Sequence, residues 1–460
     1  MKTLVYWPPL PLVLDYGGSP ALHPPAVEDE DNIVAAFNQS DRVRTINLTI
    51  TRSLQGKLST ISESFSELEE LVLLSEENAR ITLLSTFRWG PLLRSLHATR
   101  IAFPSFPQLL LPSRGLVDLQ LHEIPRVGYF SPEAFANALS GMTQLRSLFL
   151  HFLSLPTRRN YLRLPPTSWE RVALPALTCL KFRGTSKYLD SLVARIDAPN
   201  LRDIDITLFH QPTMDASQLG LFIDRVEKLT PARGRADILT SERAISLVLY
   251  FTQIEGFWTR LKVEISCEQF DWQLSSMTQV CKQLSPFLFC VKDLGVNITR
   301  PSSRPDDIVG GQWLELVRTF GGTEDLRVCD EVMTDVLRPL HPAQAYGDFT
   351  TLFPFLRNLH IEEPSSVHAI LNGRENFWDL VESFVAQRRL SGYPLLAHTP
   401  WSQYSCTNCV AGFKRRQEFN RHIKDKHPRQ NICPHCGSFD WPQGRDDLFR
   451  HHLVFAHPGK

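Results

Sequence analysis

The chain has 460 residues, 43% of them hydrophobic, and its 49 basic and 49 acidic residues give a formal net charge of zero. This length accommodates a large core and a second, smaller unit, and the balanced charge argues against nucleic acid as the default partner. Five scattered cysteines predict buried free thiols in a reducing compartment, not a disulfide framework: Cys179, Cys267, Cys281, Cys290 and Cys329.

The N-terminal segment, MKTLVYWPPLPLVLDYGG, is apolar but is interrupted by Pro8, Pro9 and Pro11. It lacks a small-residue cleavage site and is too short to span a bilayer, so it predicts neither a secretory signal nor a membrane anchor. We therefore expect a nuclear or cytoplasmic protein that is not secreted and has no membrane partner. Residues 1–40 are interpreted as an N-terminal extension or cap.

The middle of the chain repeats an apolar-x-x-apolar-x-apolar pattern at steps of 23 to 32 residues. The alternation that ends each copy predicts a short strand with one buried face, and the leading apolar residue packs beneath it. Seven copies are clear: Val43/Ile46/Leu48, Leu68/Leu71/Leu73, Leu93/Leu96/Ala98, Leu116/Leu119/Leu121, Leu145/Leu148/Leu150, Leu177/Leu180/Phe182 and Leu201/Ile204/Ile206.

Weaker copies follow at longer spacing. They are Ala244/Leu247/Leu249, Val291/Leu294/Val296, Thr323/Leu326/Val328 and Leu356/Leu359/Ile361. Ser131, followed by Pro and Glu, predicts the start of a helix. Amphipathic patterns predict further helices over 215–228 and 376–388, the second forming a capping helix within 366–390.

A unit of this length and consensus resembles the leucine-rich repeat, which implies an α/β solenoid over residues 41–365. The copies depart from the standard pattern because the ladder asparagine after the strand is missing. Its position is occupied by Glu76, Ile101, Ile124, Leu153 and Phe209. We expect the backbone to be satisfied in another way at these positions, and the arc of the repeats to be irregular.

Three segments are similar to the repeat region of fungal F-box/leucine-rich-repeat-like proteins, a similarity that covers most of residues 1–365. They are LRSLHATRIAFPSFPQLLLPSRGLVDLQLHEIP, SPEAFANALSGMTQLRSLFLHFLSLP and YLDSLVARIDAPNLRDIDITLFHQP. In that family an F-box helix bundle precedes the repeats and docks a ubiquitin-ligase scaffold. No F-box helices are visible here, and WPPLPLVLDYGG resembles the segment just after such a box. We therefore expect either a truncated chain or a paralogue that lacks the F-box. One alternative interpretation of the function is a remnant of a ubiquitin-ligase substrate receptor.

A Pro/Gly-containing linker, residues 391–400, precedes a cysteine- and histidine-rich tail. Two thiolates from a tight turn and two imidazoles one helical turn apart can meet at one tetrahedral centre, which suits Zn²⁺. The four candidate ligands are Cys406, Cys409, His422 and His427. Residues 404–427 resemble the C₂H₂ zinc finger, with Tyr404, Phe413 and Phe419 in the positions of its small core.

A second finger-like segment occupies residues 431–457, with the spacing C-x₂-C-x₁₅-H-x₄-H. Its candidate ligands are Cys433, Cys436, His452 and His457. His451 could replace His452, and His435 adds a further ambiguity. A free dithiol with surface histidines is the alternative. With both small ββα modules metallated, two structural zinc ions per chain are expected.

Base-facing positions in the first finger would be Arg415, Glu418 and Arg421. Arginine can grip guanine, and glutamate can accept a hydrogen bond from cytosine. The corresponding set in the second finger is poor, because two carboxylates beside it repel phosphate: Arg445, Leu448 and His451, next to Asp446 and Asp447. The five-residue connection between the fingers also differs from that of tandem DNA-reading fingers. A solvated helix face, or a protein or RNA partner, is the alternative to DNA.

No phosphate loop, nucleophile elbow or HExxH sequence is present. Isolated histidines fall on the predicted strands, where surface or packing roles are expected: His97, His122, His151 and His360. A zinc ion with four protein ligands has no open position for water. The sequence therefore predicts a non-enzymatic, monomeric, zinc-binding protein whose repeat face binds a protein partner. A nucleic-acid-binding transcriptional regulator that uses the first finger is the alternative.

Overall fold

A computed structural model of the chain separates into two compact units, Met1–Ala232 with Arg243–Leu284, and Arg233–Glu242 with Ser285–Lys460. The residues that it describes are 10–16, 27–58, 64–75, 81–82, 88–103, 105–154, 171–209, 211, 214–226, 229, 234–252, 258–267, 269–298, 309–329, 353–362, 384–386, 388–398, 404–405, 412–413, 421, 431–432 and 440–441.

Short strands dominate the described part of the chain. They are β1 (Leu12–Tyr16), β2 (Val43–Ile50), β3 (Ser64–Phe65), β4 (Glu70–Ser75), β5 (Ile81–Thr82), β6 (Arg88–Trp89), β7 (Ser95–Thr99), β8 (Ile101–Ala102), β9 (Asp118–Ile124), β10 (Ser147–Phe152), β11 (Val172–Ala173), β12 (Cys179–Gly184), β13 (Ile196–Asp197), β14 (Asp203–Phe209), β15 (Gly234–Thr240), β16 (Ala244–Thr252), β17 (Trp258–Ser266), β18 (Val291–Ile298), β19 (Asp325–Cys329), β20 (Asn358–Glu362), β21 (Leu396–His398), β22 (Tyr404–Ser405), β23 (Gly412–Phe413), β24 (Asn431–Ile432) and β25 (Asp440–Trp441).

Helices alternate with these strands, which makes the fold mixed α/β with a large, mainly parallel sheet arrangement. They are α1 (Val27–Phe37), α2 (Arg52–Leu58), α3 (Phe106–Leu110), α4 (Pro132–Leu139), α5 (Ser186–Val193), α6 (Ser217–Asp224), α7 (Phe270–Gln283), α8 (Ser285–Leu288) and α9 (Val309–Arg318), with 3₁₀ turns at Ser40–Arg42 and Arg126–Gly128. Within the described segments, none of the helices is long and apolar enough to cross a membrane.

The first unit contains a long ladder of strands in the order β1-β2-β4-β7-β9-β10-β12-β14-β17-β16. Every neighbouring pair from β1 to β17 is parallel. The seven clear repeat copies lie on β2, β4, β7, β9, β10, β12 and β14, and their apolar residues are in register: Leu71 pairs with Ile46 and with Leu96. These residues are fully buried, so the predicted strands are confirmed.

Helices and aromatic side chains cover the buried face of this ladder. Phe152 of β10 and Phe182 of β12 contact Tyr188 of α5, with ring centroids 4.6 and 5.9 Å apart. Phe106 of α3 packs against Phe135 of α4 at 6.5 Å. Aromatic rings remove large apolar areas from water, so one side of the ladder is closed by helices. The residues between the buried positions face the other side.

Two left-handed bends occur where the ladder asparagine is missing. Arg100 and Glu123 have φ angles of 61° and 51°, a region that side chains rarely adopt. Each precedes a buried isoleucine, Ile101 or Ile124, at 4% exposure. The Arg100 amide donates to the carbonyl of His122 at 2.9 Å, and the Arg100 guanidinium pairs with the Glu123 carboxylate. A main-chain bond and an ion pair therefore stabilise this bend without an asparagine.

The eighth repeat copy behaves differently from the first seven. Its residues do lie on a strand, β16, but β16 runs antiparallel to β17. β17 is the strand that continues the parallel ladder, with Leu261 opposite Ile204 and Val263 opposite Ile206 of β14. The weak copy that begins at Ala244 therefore predicts a strand correctly, but this strand runs opposite to the strands of the first seven copies.

The second unit has a parallel ladder in the order β15-β18-β19-β20-β21. The remaining weak copies lie on β18, β19 and β20, with Leu326 opposite Leu294 and Leu359. The predicted linker 391–400 contains a strand that the sequence pattern did not indicate. Within it, β21 pairs with β20, and Leu395 and Ala397 are 6% and 8% exposed. Burial of these two side chains holds the segment against the ladder.

Two of the predicted helices, those expected to start at Ser131 and at residue 215, have counterparts in the structure. The start at Ser131 is confirmed, because its hydroxyl accepts a hydrogen bond from the Ala134 amide at 3.1 Å and α4 follows. The helix predicted over 215–228 is the shorter α6. The capping helix lies largely outside the described residues, but 384–386 and 388–390 are helical.

Arg388 connects the last of these helical residues to the second ladder. It is 2% exposed, and its Nη1 and Nη2 donate to the carbonyls of Phe353 and Leu356 at 2.9 and 3.1 Å. Its guanidinium carbon lies 5.5 Å from the centre of the Tyr393 ring. Burial lowers the pKa of Arg388. The positive charge of Arg388 is thus stabilised by two carbonyl dipoles and by the face of the Tyr393 ring.

Candidate interaction face and zinc-ligand positions

The tail contains a first hairpin around the first pair of cysteines. β22 pairs antiparallel with β23, with Tyr404 opposite Phe413 and Ser405 opposite Gly412. Residues 406–411 connect these paired strands, and this stretch contains Cys406 and Cys409. A cysteine pair that lies between two antiparallel strands in the sequence has the order expected for the ββ portion of a ββα finger.

A second hairpin has the same relation to the second pair of cysteines. β24 pairs antiparallel with β25, with Asn431 opposite Trp441 and Ile432 opposite Asp440. The connection, residues 433–439, contains Cys433 and Cys436. The backbone arrangement therefore recurs at both sequence motifs, although their loops differ in length.

The predicted ligands themselves lie outside the described residues, as do the alternatives His435 and His451. They are Cys406, Cys409, His422, His427, Cys433, Cys436, His452 and His457. In the described part of the chain, no group of three His, Cys, Asp or Glu is arranged to hold a metal ion. The cysteines and histidines of the tail motifs lie outside that part of the chain. Two thiolates and two imidazoles at each motif form a donor set that fits Zn²⁺.

The candidate nucleic-acid residues are only partly described. Arg415 and Glu418 lie outside the described residues, whereas Arg421 is helical and exposed. The predicted base-facing triplet therefore has one member in the structure, and no geometry between the three follows from it.

The face of the first ladder on which none of the described helices packs, called the uncovered face below, carries polar and aromatic side chains in rows. Parallel neighbours are in register, so side chains at paired positions lie next to each other across the strands. One row consists of Glu70, Ser95, Asp118, Ser147, Cys179, Asp203 and Arg260. The next consists of Val72, His97, Gln120, Phe149, Lys181, Asp205 and Lys262.

Two histidines of this face belong to one hydrogen-bonded chain. His97 Nε2 lies 2.5 Å from Asp118 Oδ2, and Gln120 Nε2 donates to the same oxygen at 2.9 Å. Gln120 Oε1 is 3.2 Å from His122 Nε2. The chain of hydrogen bonds fixes the orientation of four side chains on β7 and β9, so this part of the face is ordered without any bound molecule.

The charges in this chain follow from its surroundings. Burial acts to raise the pKa of Asp118, but hydrogen bonds from His97 and Gln120 outweigh it and hold that pKa below its ordinary value. Burial lowers the pKa of His122, and the nearby His97 adds to the effect. Near neutral pH the Asp118 carboxylate is therefore ionised and the His122 ring is neutral.

Ser95, His97 and Asp118 resemble a catalytic triad in composition but not in geometry. Ser95 Oγ is 3.3 Å from His97 Nε2, the same nitrogen that Asp118 contacts. A relay requires the carboxylate on one ring nitrogen and the hydroxyl on the other. These contacts orient the ring and do not activate the serine.

An ion-pair network occupies the other end of the face, on β14 and β17. Arg260 Nε donates to Asp203 Oδ1 at 2.9 Å, and its Nη2 is 3.9 Å from Asp205 Oδ2. Lys262 Nζ lies 3.9 Å from Asp205 and 2.8 Å from Glu264. The hydrogen bond to Asp203 raises the pKa of Arg260. Partly exposed pairs of this kind contribute ~0.2–1 kcal/mol each, so the network mainly orders the side chains.

In the second unit, a glycine allows an ion pair to cross a strand. Asp237 of β15, Gly295 of β18 and Arg327 of β19 occupy paired positions. Arg327 Nη2 passes over Gly295 to Asp237 Oδ1 at 3.1 Å, while its Nε donates to Asp293 at 2.8 Å. A Cβ at Gly295 would collide with that Asp237 oxygen. The pair therefore depends on a residue without a side chain.

A stacked histidine pair lies at the far end of the second ladder. The rings of His360 and His398 are 4.7 Å apart with an interplanar angle of 13°, and His360 Nε2 is 3.9 Å from Asp325. Burial lowers the pKa of His398, and the charge of His360 adds to the effect. Stacked rings do not converge on one ion, so the pair is not a metal-binding arrangement.

All four histidines singled out in the sequence lie on strands: His97, His122, His151 and His360. The sequence did not indicate their partners, because Asp118, Gln120 and His398 become neighbours only through strand register. The alternation of apolar and polar residues in each repeat could have placed these partners on the uncovered face, since it assigns every residue between buried positions to that face.

A scan against protein-family models and a search of curated proteins give no match to this chain.

Proposed function

We propose that this chain is a non-enzymatic interaction protein. The ladder of a leucine-rich-repeat-like solenoid would bind a protein partner on its uncovered face, and the tail would hold two structural zinc ions in finger modules of the C₂H₂ type. The resemblance to fungal F-box/leucine-rich-repeat-like proteins implies the same kind of partner-binding role for the repeats.

One observation carries the first part of the proposal. Helices and buried rings close one side of a long parallel ladder, whereas the other side presents ordered polar and aromatic side chains in register. Extended repeat surfaces of this kind suit protein recognition. Polar side chains that are already ordered lose little conformational entropy when a partner binds. The geometry of Ser95, His97 and Asp118 gives no support to a hydrolytic site on the same face.

Site-specific photocrosslinking tests the face. A benzoylphenylalanine is introduced at Val72 or Phe149, on the uncovered face, and at Leu221, which is 55% exposed on α6 of the covered side. Discrete protein adducts from cell extract are expected at Val72 and Phe149 and not at Leu221. Equal adduct patterns at all three positions would contradict a specific binding face.

The two tail hairpins support the zinc part of the proposal. Each brackets a cysteine pair, and each is followed in the sequence by two histidines at helical spacing. Native mass measurement should give two zinc ions per chain. Cys406→Ser and Cys433→Ser should each remove one, and a total of one in the unmodified chain would exclude the second site.

Nucleic-acid binding through the first finger is a second candidate. It is favoured by the exposed, helical Arg421 and by the excess of six basic over two acidic residues in 401–427. A single finger reads about three base pairs, which makes a sequence-specific regulator the weaker of the two proposals.

A further inference from the structure

Two cations on the uncovered face of the first ladder differ from the others. Arg100, Arg260 and Lys262 each have a carboxylate within ion-pair distance. Lys181 and Arg183 are both exposed on β12, and among the residues the structure describes neither has such a partner. Two neighbouring cations are therefore available to an external anion.

Aromatic rings lie beside these two cations. Phe149 is opposite Lys181 in the ladder, and His151 is opposite Arg183. The Arg183 guanidinium carbon lies 5.9 Å from the centre of the Phe209 ring. We call this group of five residues, on β10, β12 and β14, the β12 patch. Rings next to a cation reduce its hydration, which strengthens its attraction to an incoming anion.

The electrostatics around Arg183 are consistent with a positive charge that none of the described carboxylates pairs with. Asp205, which is opposite Lys181, instead lies 3.9 Å from both Arg260 and Lys262. Burial, and then the charge of Arg183, lowers the pKa of His151 to about 4, so that ring is neutral at pH 7. The hydrogen bond from Arg100 lowers the pKa of Glu123, with burial opposing and Arg183 contributing further. Because Arg100 already engages Glu123, that carboxylate does not neutralise the β12 patch.

We propose that the β12 patch binds an extended acidic segment of the protein partner, with two carboxylates separated by one residue. This inference rests on the proposed function. Alternate residues of a strand project on the same side roughly 7 Å apart. Lys181 and Arg183 have this relation, and so do residues i and i+2 of an extended peptide. Their charges and spacing thus complement an acid-x-acid sequence.

The surroundings favour a short acidic peptide over nucleic acid. Asp118 lies on one side of the patch, two strands from β12, and Asp203, Asp205 and Glu264 lie on the other. A continuous phosphate backbone would meet these carboxylates and be repelled. A peptide segment whose negative charge is confined to two positions would bring its carboxylates to Lys181 and Arg183 and avoid this repulsion.

Fluorescence anisotropy with the full, zinc-loaded chain tests the inference. The probe is a fluorescein-labelled twelve-residue peptide, Glu-Leu-Glu in a Gly/Ser background, compared with its Gln-Leu-Gln counterpart. The Glu peptide should bind more tightly, and Lys181→Gln with Arg183→Gln should weaken it about tenfold. Added salt should reduce the difference. Arg146→Gln with Lys187→Gln removes the same two charges from exposed positions elsewhere and should leave binding unchanged.

Equal binding of the Glu and Gln peptides, or equal weakening by the two double variants, would overturn the inference. So would binding that appears only when phosphoserine replaces the first Glu, since the ligand would then be phosphate. The protein adduct at Val72 shows whether only the acidic-peptide inference is wrong or whether the proposed function is wrong as well. If the Val72 adduct persists while the peptide result fails, only the inference is wrong. Loss of specific adducts on the whole face would remove the proposed function as well.

Discussion

Asp190 on α5 offers a sharp test of the packing between neighbouring repeats. It is 8% exposed, and its Oδ1 accepts hydrogen bonds from the amides of Gln218 and Leu219 at 2.9 and 3.1 Å. These amides belong to the first turn of α6, where the helix has no internal acceptors. Burial, with the charge of Asp215 adding to it, raises the pKa of Asp190 to about 6.

The stability cost follows from this raised pKa. The unfolded chain loses the proton near the ordinary value of 3.8, whereas the folded chain keeps it until about 6. Between these values the folded state binds more protons, so stability falls as pH rises through the window. The difference corresponds to roughly 3 kcal/mol above pH 7.

Asp190→Asn should remove this cost and keep the capping. One amide oxygen can accept both hydrogen bonds, because both now go to Oδ1, and the group carries no charge to be desolvated. The variant should therefore be more stable than the parent by up to about 3 kcal/mol at pH 8. At pH 4 the two chains should differ little. Paired urea titrations that follow the unfolding of the first unit at pH 4, 6 and 8 measure the difference.

The exposed Asp224 of the same helix α6 provides the matched control. Asp224→Asn should change stability by less than about 0.5 kcal/mol at every pH. Asp190→Ala should be destabilising by about 1–3 kcal/mol at pH 4, because it leaves two amides without acceptors. This deficit should shrink or reverse at pH 8, because the alanine variant also lacks the charged, buried carboxylate of the parent. A pH-independent effect of Asp190→Asn, or a loss of stability at pH 8, would refute the reasoning.

Three further outcomes are expected. Chelation of zinc should unfold the tail, seen as new proteolytic cleavage after residue 400, and leave the ladders intact, because metal binding and folding are one free-energy term in small fingers. Replacing Arg415 and Arg421 with alanine should abolish any salt-sensitive binding of nucleic acid, whereas unchanged retention on a DNA column would exclude the first finger as its source. Gly322→Ala should destabilise the second unit by more than about 3 kcal/mol in thermal unfolding, since its Cβ would collide with the carbonyl oxygen of Phe289; a change below about 1 kcal/mol would mean that the backbone relaxes there.

The strands of the first seven repeats could be predicted because their signal is local. Leu119 and Leu121 alternate with polar residues, and the leading Leu116 repeats at near-constant distance, so burial is encoded within six residues. The same rule failed at β17. Trp258–Ser266 alternates equally well, but whether it or β16 continues the ladder depends on which strand pairs with β14, and that is decided by tertiary contacts.

The candidate sites divide in a similar way. The candidate metal ligands of the tail are predicted from spacing alone, since four donors within a short segment need no distant partner, and they stay a prediction because they lie outside the described residues. The contact between His97 and Asp118 could not, because it joins residues 21 positions apart and requires the register of β7 against β9. Strand β21 was missed for a third reason: three residues in a Pro/Gly-containing stretch carry too little pattern, and it is the pairing with β20 that makes them a strand.

The reversed strand β16 has a consequence for how this chain can change its length. From β2 to β14 every strand of the ladder has the same polarity, so losing or duplicating one 23–32-residue copy leaves compatible neighbours on both sides. β16 and β17 are joined as an antiparallel pair, and losing β17 alone would leave β14 beside a strand of opposite direction. Whole repeat copies can therefore be lost or duplicated between β2 and β14. Strands β16 and β17, in contrast, have to be retained or lost together.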